Sequence, residues 1–182
     1  MPAGGTSMSG TWKKDGEIHK CYPKTDLLDE DWPHRVALIE RFTRALPYPT
    51  RFRDVGHSLV RSMKLVVAPA ARLNAADTIQ LAQLVMLVRR MHQVGIVHGD
   101  LHPKNLLWDG SRVVIIDFEP SLRQLKGYRP SLMGTAPFIH PLDVRAGRLS
   151  RLTDWMCLIH LARGLNASTC ARLASEAPQA LP

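Results

Sequence analysis

Strand-like alternation fills the first third of the chain, and helical periodicity takes over after it. Thr11-Trp12-Lys13-Lys14 and the run from Glu17 to Tyr22 flank Asp15-Gly16. Asp-Gly between two such runs predicts a tight hairpin, because both central positions need positive φ. Ile18, Lys20 and Tyr22 then share one strand face, which directs the Lys20 ammonium into a cleft between apolar neighbours. Val36, Ile39, Phe42 and Leu46 recur at helical spacing. Asp31 suits the cap of that helix and Pro33 its first turn, while Pro47 and Pro49 end it. Glu40 lies beside the stripe, placed to pair with Arg44 at i,i+4 or with Lys20 on the hairpin. Residues 52–55 and 58–63, with a turn at Gly56, predict two more strands that exit through Lys64 and Leu65. Residues 74–77 read as a capping box with Asp in place of Glu or Gln. Ile79, Ala82, Val85, Met86 and Met91 mark one long helix ending at Gly95, and are its expected core stripe. Leu152, Trp155, Leu158, Ile159 and Ala162 predict a last helix over residues 150–165.

Between these helices lies the stretch that carries chemistry, residues 98–119. Asp100 and Asn105 stand five residues apart on a loop, a turn follows at 108–112, and the β-branched run 113–116 ends in Asp117. Two carboxylates and a carboxamide offered from neighbouring loop and strand ends can hold a divalent cation and one reacting hydroxyl. Hard oxygen ligands are what Mg²⁺ takes, alongside substrate phosphates. His98 and His102 are four apart, but on a loop and with no third soft ligand they do not make a zinc site. They are expected to brace the loop instead, His98 through backbone hydrogen bonds and His102 against Asp100.

Composition narrows the classes without choosing among them. The chain has 182 residues, 45% hydrophobic and 22% charged, enough for one domain or two small lobes with a core. Cys21, Cys157 and Cys170 are widely spaced, which argues for a reducing, cytoplasmic compartment and against a zinc or disulfide framework. No apolar run reaches membrane-spanning length, and Met1 to Gly10 is small and polar rather than signal-like. The net charge of +8 comes from 24 Lys and Arg against 16 Asp and Glu. These positives are scattered with no aromatic interleaving, so phosphates or an acidic protein partner explain them better than nucleic acid does. Gly4, Gly5, Ser7 and Gly10 form a glycine- and hydroxyl-rich opening whose backbone N–H groups suit phosphates.

His98-Gly99-Asp100-Leu101-His102-Pro103-Lys104-Asn105 resembles the catalytic loop of protein-kinase-like phosphotransferases, and Asp117-Phe118-Glu119 resembles their metal-binding motif with Glu in place of Gly. Aminoglycoside and choline kinases, lipopolysaccharide kinases and compact bacterial kinases share this wording. The resemblance implies an α+β, bilobal kinase-like fold. A small antiparallel β N-lobe with one helix would span residues 1–64, and a truncated, mainly helical C-lobe residues 65–182. It implies ATP and Mg²⁺ (or Mn²⁺) as cofactors. Asp100 would orient and deprotonate the acceptor hydroxyl, and Asn105 and Asp117 would hold the metal. Lys20 would contact the α- and β-phosphates and pair with Glu40. Lys104 would touch the γ-phosphate or the acceptor. Gly4, Gly5, Ser7, Gly10, Met63 and Leu65 would complete the nucleotide site.

Residues 134–143 resemble the Gly-Thr-Pro-x-Tyr-x-x-Pro-Glu segment that closes a protein kinase activation segment, with Leu142 where the family has Glu and Asp143 next to it. Thr153-Asp154-Trp155 resembles the opening of the following helix, whose Asp binds the catalytic-loop backbone in that family. Ser121, Tyr128 and Ser131 lie in the segment between, but Gly99 stands where the phosphate-docking arginine would be, so activity independent of loop phosphorylation is expected. The leading reading is a minimal Ser/Thr protein kinase, similar to bacterial effectors delivered into host cells, with a host protein as acceptor. A partner protein would cover the surface left by the truncated lobe. A small-molecule phosphotransferase and a nucleotide-binding pseudokinase scaffold are the rival readings.

Overall fold

The structure is a computed structural model and describes residues 11–23, 32–46, 48–64, 71–74, 76–118, 139–146, 149–163 and 167–176. The chain divides into two compact units, Met1–Val67 and Ala68–Pro182.

In the first unit, β1 (Thr11–Lys14), β2 (Glu17–Pro23), β3 (Thr50–Val55) and β4 (Ser58–Lys64) form an antiparallel four-stranded sheet in the order β1-β2-β4-β3. The hairpin turns where Asp-Gly predicts it, with φ of 50° at Asp15 and 76° at Gly16. Ile18 pairs with Met63 and Tyr22 with Leu59, so one face carries the apolar set, and Tyr22, Leu59 and Met63 are buried. Lys20 lies between them on that face, opposite Arg61.

Helix α1 (Trp32–Thr43) ends earlier than the periodicity suggests, leaving Leu46 beyond it. The reason is Thr43. Its buried hydroxyl donates to Ile39 O at 2.9 Å and accepts the Thr50 N–H at 3.0 Å, which turns the chain into β3. Glu40 Oε1 accepts the Phe52 N–H at 2.7 Å. Thr50 and Phe52 alternate along an edge strand, so two α1 side chains cap successive outward N–H groups that would otherwise template another strand.

In the second unit, β5 (Ala71–Arg72), β6 (Leu106–Trp108) and β7 (Val113–Ile115) make a small antiparallel sheet. Helix α2 (Thr78–Gln93) contacts β7 and also α4 (Arg151–Ala162), which in turn packs on α5 (Ala167–Glu176). A short helix α3 (Pro141–Ala146) precedes α4. The N-cap of α2 is Asp77, accepting from Ile79 and Gln80 N–H, while Asn74 caps only Ala76; the expected box is displaced by three residues.

The buried face of α2 also differs from the expected stripe. Leu81, Leu84, Leu87, Val88, Met91 and His92 face inward, whereas Ile79 is 67% and Met86 61% exposed. Ala82, Val85 and Met86 line a groove closed on the other side by Leu173 of α5. The helix is apolar on two faces, and periodicity alone cannot say which one meets the sheet. Helix α5 itself was not anticipated. Among the described residues no helix is long and apolar enough to cross a membrane.

Candidate functional site

The loop after α2 is shaped by two buried side chains. His98 Nδ1 accepts the Asp100 N–H at 3.2 Å, so its proton sits on Nε2, which reaches Ile116 O at 3.0 Å. Burial lowers the His98 pKa against the pull of Asp154, Asp100 and Asp117, which keeps the ring neutral and suited to this bridge. Its ring lies 5.0 Å from that of Phe118. The expectation that His98 braces the loop through backbone is met. Asp154, in the first turn of α4, holds the loop from below: Oδ2 accepts His98 N–H at 2.9 Å and Oδ1 accepts Gly99 N–H at 2.8 Å. Gly99 has φ of 82°, a conformation that side chains resist.

Asp100 emerges from this anchored dipeptide. Asn105 Nδ2 donates to both Asp100 O and Asp100 Oδ2 at 3.0 Å. His102 Nδ1 accepts the Lys104 N–H, which puts the ring proton on Nε2, 3.3 Å from Asp100 Oδ2. His102 therefore braces Asp100, as its spacing suggests. Asp100 Oδ2 thus accepts from Asn105 and faces the His102 ring. The other, Oδ1, is buried and accepts no hydrogen bond from the described residues. Burial raises the Asp100 pKa; His102 and His98 oppose that, and the nearby Asp117 adds to it.

Asp117 follows the link from Ile116 N–H to Asn105 O at 3.0 Å, which sets the second acid beside the catalytic-type loop. Its φ of 66° places a non-glycine residue in the left-handed region, the kind of local strain found where a side chain must be aimed. A hard divalent cation fits this donor set. Asn105 spends its amide nitrogen on Asp100, and its Oδ1 has no donor among the described residues. Among the described residues no cluster of three or more His, Cys, Asp or Glu that could hold a metal ion forms.

The remaining candidates fall as follows. Lys104 is exposed, with its carbonyl held by Arg72 Nη1 of β5. Lys20 sits on β2 of the first unit, its Nζ 5.5 Å from the centroid of the Tyr22 ring. Glu40 is in the same unit, where its Oε1 accepts the Phe52 N–H. Met63 is buried in that sheet. Gly4, Gly5, Ser7, Gly10 and Leu65 lie outside the described residues, as do the switch candidates Ser121, Tyr128 and Ser131 and the stretch 134–138.

At positions 142 and 143 the structure distinguishes two neighbours. Leu142 is 52% exposed, while buried Asp143 accepts from Ser150 N–H, Ser150 Oγ–H and Thr153 Oγ–H at 2.9, 2.7 and 2.6 Å. Asp143 thus ties α3 to the start of α4. Sequence reasoning left its part open and missed His92, which lies 2.9 Å from Asp154. A polar residue on the inward face of α2 was the available signal, hidden by choosing the wrong face.

The profile of the phosphotransferase enzyme family (APH) matches residues 17–123 of this chain. Over 76 residues, 41% of the chain, it is 33% identical to the serine/threonine-protein kinase AtPK1/AtPK6 of Arabidopsis thaliana, covering 16% of that protein. Over 73 residues it is 32% identical to the muscle M-line assembly protein unc-89 of Caenorhabditis elegans, covering 40% of this chain and 1% of that one. The chain thus spans only a small part of the curated relatives it matches. The solved structure of the Cydia pomonella granulovirus kinase PK-1 superposes with a TM-score of 0.57 at 19% identity, over 87% of this chain and 65% of the viral one. The fold is therefore kinase-like, and the chain belongs to the phosphotransferase enzyme family within the protein kinase-like superfamily.

Proposed function

We propose that this chain transfers the γ-phosphoryl group of ATP to a hydroxyl of a protein side chain, with Asp100 as the base. The observation that carries this is the division of labour on the Asp100 carboxylate. Oδ2 accepts from Asn105 and faces His102 Nε2 at 3.3 Å, and Oδ1 is buried with no donor among the described residues. Leaving a buried acceptor unpaired costs about 1–3 kcal/mol, so a fold that does so holds it for a transient partner. An acceptor hydroxyl would donate its proton to Oδ1 as its oxygen forms the new bond to phosphorus. The β,γ-bridging P–O bond breaks, and ADP leaves with the electron pair. Asn105 and Asp117 would hold the metal ion, which neutralises phosphate charge when bound. Lys20 is assigned to the phosphates, and Lys104 to the γ-phosphate or acceptor, on the resemblance alone.

Support for a protein acceptor comes from the serine/threonine-protein kinase relative and from residues 139–154. There Asp154 accepts the His98 and Gly99 amides, as the resemblance leads one to expect of it, and Asp143 ties α3 to the start of α4. The resemblance to compact effector kinases would make that acceptor a host protein. The family match over residues 17–123 favours a second reading, transfer to a small molecule such as an aminoglycoside or sugar lipid. Labelled ATP offered with a protein mixture, and separately with those small molecules, separates the two. Transfer to protein that falls by about 10²–10⁴-fold in Asp100→Ala supports the first reading. Transfer confined to a small molecule moves the assignment to the second, and no transfer from a folded, ATP-binding chain rejects both.

A further inference from the structure

Helix α2 brings its second apolar face to the surface, and its charges are of one sign. None of its 16 residues is Asp or Glu, while Arg89 and Arg90 stand near its C-terminal end. Helices α2 and α5 both pack on α4, and a groove of about 210 Å³ lies between them. Ala82, Val85 and Met86 form one wall and Leu173 of α5 faces them. Each wall also carries an arginine, Arg89 on α2 and Arg172 on α5, and among the described residues no acidic side chain lines the groove. We infer that this groove is the seat for an amphipathic, acidic helix of a partner protein, whose apolar stripe lies on Val85 and Met86 and whose carboxylates meet Arg89 and Arg172.

Length, depth and charge choose that occupant. The lining runs along α2 from Thr78 to Arg89, about three turns or 16 Å at 1.5 Å per residue. That is the run over which a docked helix presents anchors at i, i+3 or i+4, and i+7. The volume of about 210 Å³ falls below the roughly 300–1,000 Å³ of pockets that enclose a small ligand. Apolar surface also continues past the rim, since Ile79, Ala82 and Met86 follow one another at helical spacing and Ile79 is 67% exposed. A shallow groove with an apolar margin seats side chains of a larger body. The two guanidinium groups, on a chain of net charge +8, then select carboxylates and repel a basic helix. Burial of the apolar wall supplies the affinity, and the arginines set which helix is accepted.

The probe is a labelled synthetic peptide of about 15 residues, with leucine at every third or fourth position and glutamate between, long enough to span the groove as a helix. A second peptide carries lysine in place of every glutamate. Both are titrated with the full chain and read by fluorescence anisotropy. The glutamate peptide should bind at least about 10-fold tighter than the lysine peptide, and Met86→Glu should weaken it by at least about 10-fold. Val144→Glu, on an α3 residue that is 45% exposed and away from the groove, should leave binding unchanged. Arg89→Glu combined with Arg172→Glu should invert the preference between the peptides, a swap that general stickiness of a basic chain does not produce. Equal binding of the two peptides, binding of neither, or equal effects of Met86→Glu and Val144→Glu overturn the inference. A dimer mass in light scattering that Met86→Glu returns to the monomer also overturns it, because a second copy is then the occupant. If the double variant fails to fold, Arg172→Glu decides alone, and unchanged affinity for both peptides sinks the proposal. No readout uses catalysis, so the result is independent of the phosphotransfer reading.

Discussion

As the proposed base, Asp100 faces two demands that pull in opposite directions. A base must be ionised to accept a proton, yet burial and the neighbouring Asp117 both disfavour its charge. His102 and His98 counter them, and Asn105 helps through its hydrogen bond. The sign for activity follows directly. Rate requires the ionised form, so the acid limb of the pH–rate profile should sit above the ordinary carboxylate range. His102→Leu removes an influence that lowers the Asp100 pKa, so the limb should move further toward neutral pH. A limb that stays put, or moves to lower pH, would show that His102 does not act on Asp100. At this scale the site was legible from sequence because its parts are local. Asp100, His102 and Asn105 are read on one loop and meet within it. His92 and Asp143 were not legible, since their partners lie 62 and 7–10 residues away and only the fold brings them together.

The element scale shows where pattern reading succeeds and where it fails. The hairpin, the β3–β4 pair and helix α4 follow from turn chemistry and periodicity, since each signal has one structural solution. Helix α2 has two apolar faces and needed the sheet to choose between them. Helix α1 supplied Glu40 to the edge of β3, a use that no helical pattern announces because the edge strand comes later in the chain. The choice of face on α2 is open to a direct check. Leu84 is fully buried and Met86 is 61% exposed. Leu84→Ala should destabilise the fold by about 2–5 kcal/mol, and Met86→Ala by no more than about 0.5 kcal/mol. Denaturant titration of both gives the answer; equal losses would mean that the groove face of α2 is core after all.

For the whole molecule, the division into Met1–Val67 and Ala68–Pro182 gives the assigned residues different addresses. Asp100, Asn105, Asp117 and the Asp154 anchor are all in the second unit, while Lys20, Glu40 and Met63 are in the first. The two-lobed plan could be read from sequence because the β-rich and helical patterns change over near residue 65. Whether Lys20 serves the same nucleotide as Asp117 could not be, because nothing in spacing links a hairpin lysine to a carboxylate about a hundred residues on. Ligand-induced stability supplies the missing link. A ligand that binds only the folded chain stabilises it by about 2.7 kcal/mol at a hundred times its dissociation constant. For a chain of this size that amounts to about 5–10 °C in Tm. MgATP should raise the wild-type Tm by that much, and chelation of the metal should remove most of the gain. Asp117→Ala should lose it if Asp117 holds the metal as proposed, and Lys20→Ala should lose much of it if the first unit contributes a phosphate contact. Glu40→Gln is the informative contrast: its acceptor oxygen still caps Phe52 N–H, so the MgATP shift should survive. A full shift in Lys20→Ala would confine nucleotide binding to the second unit and remove the hairpin lysine from the site.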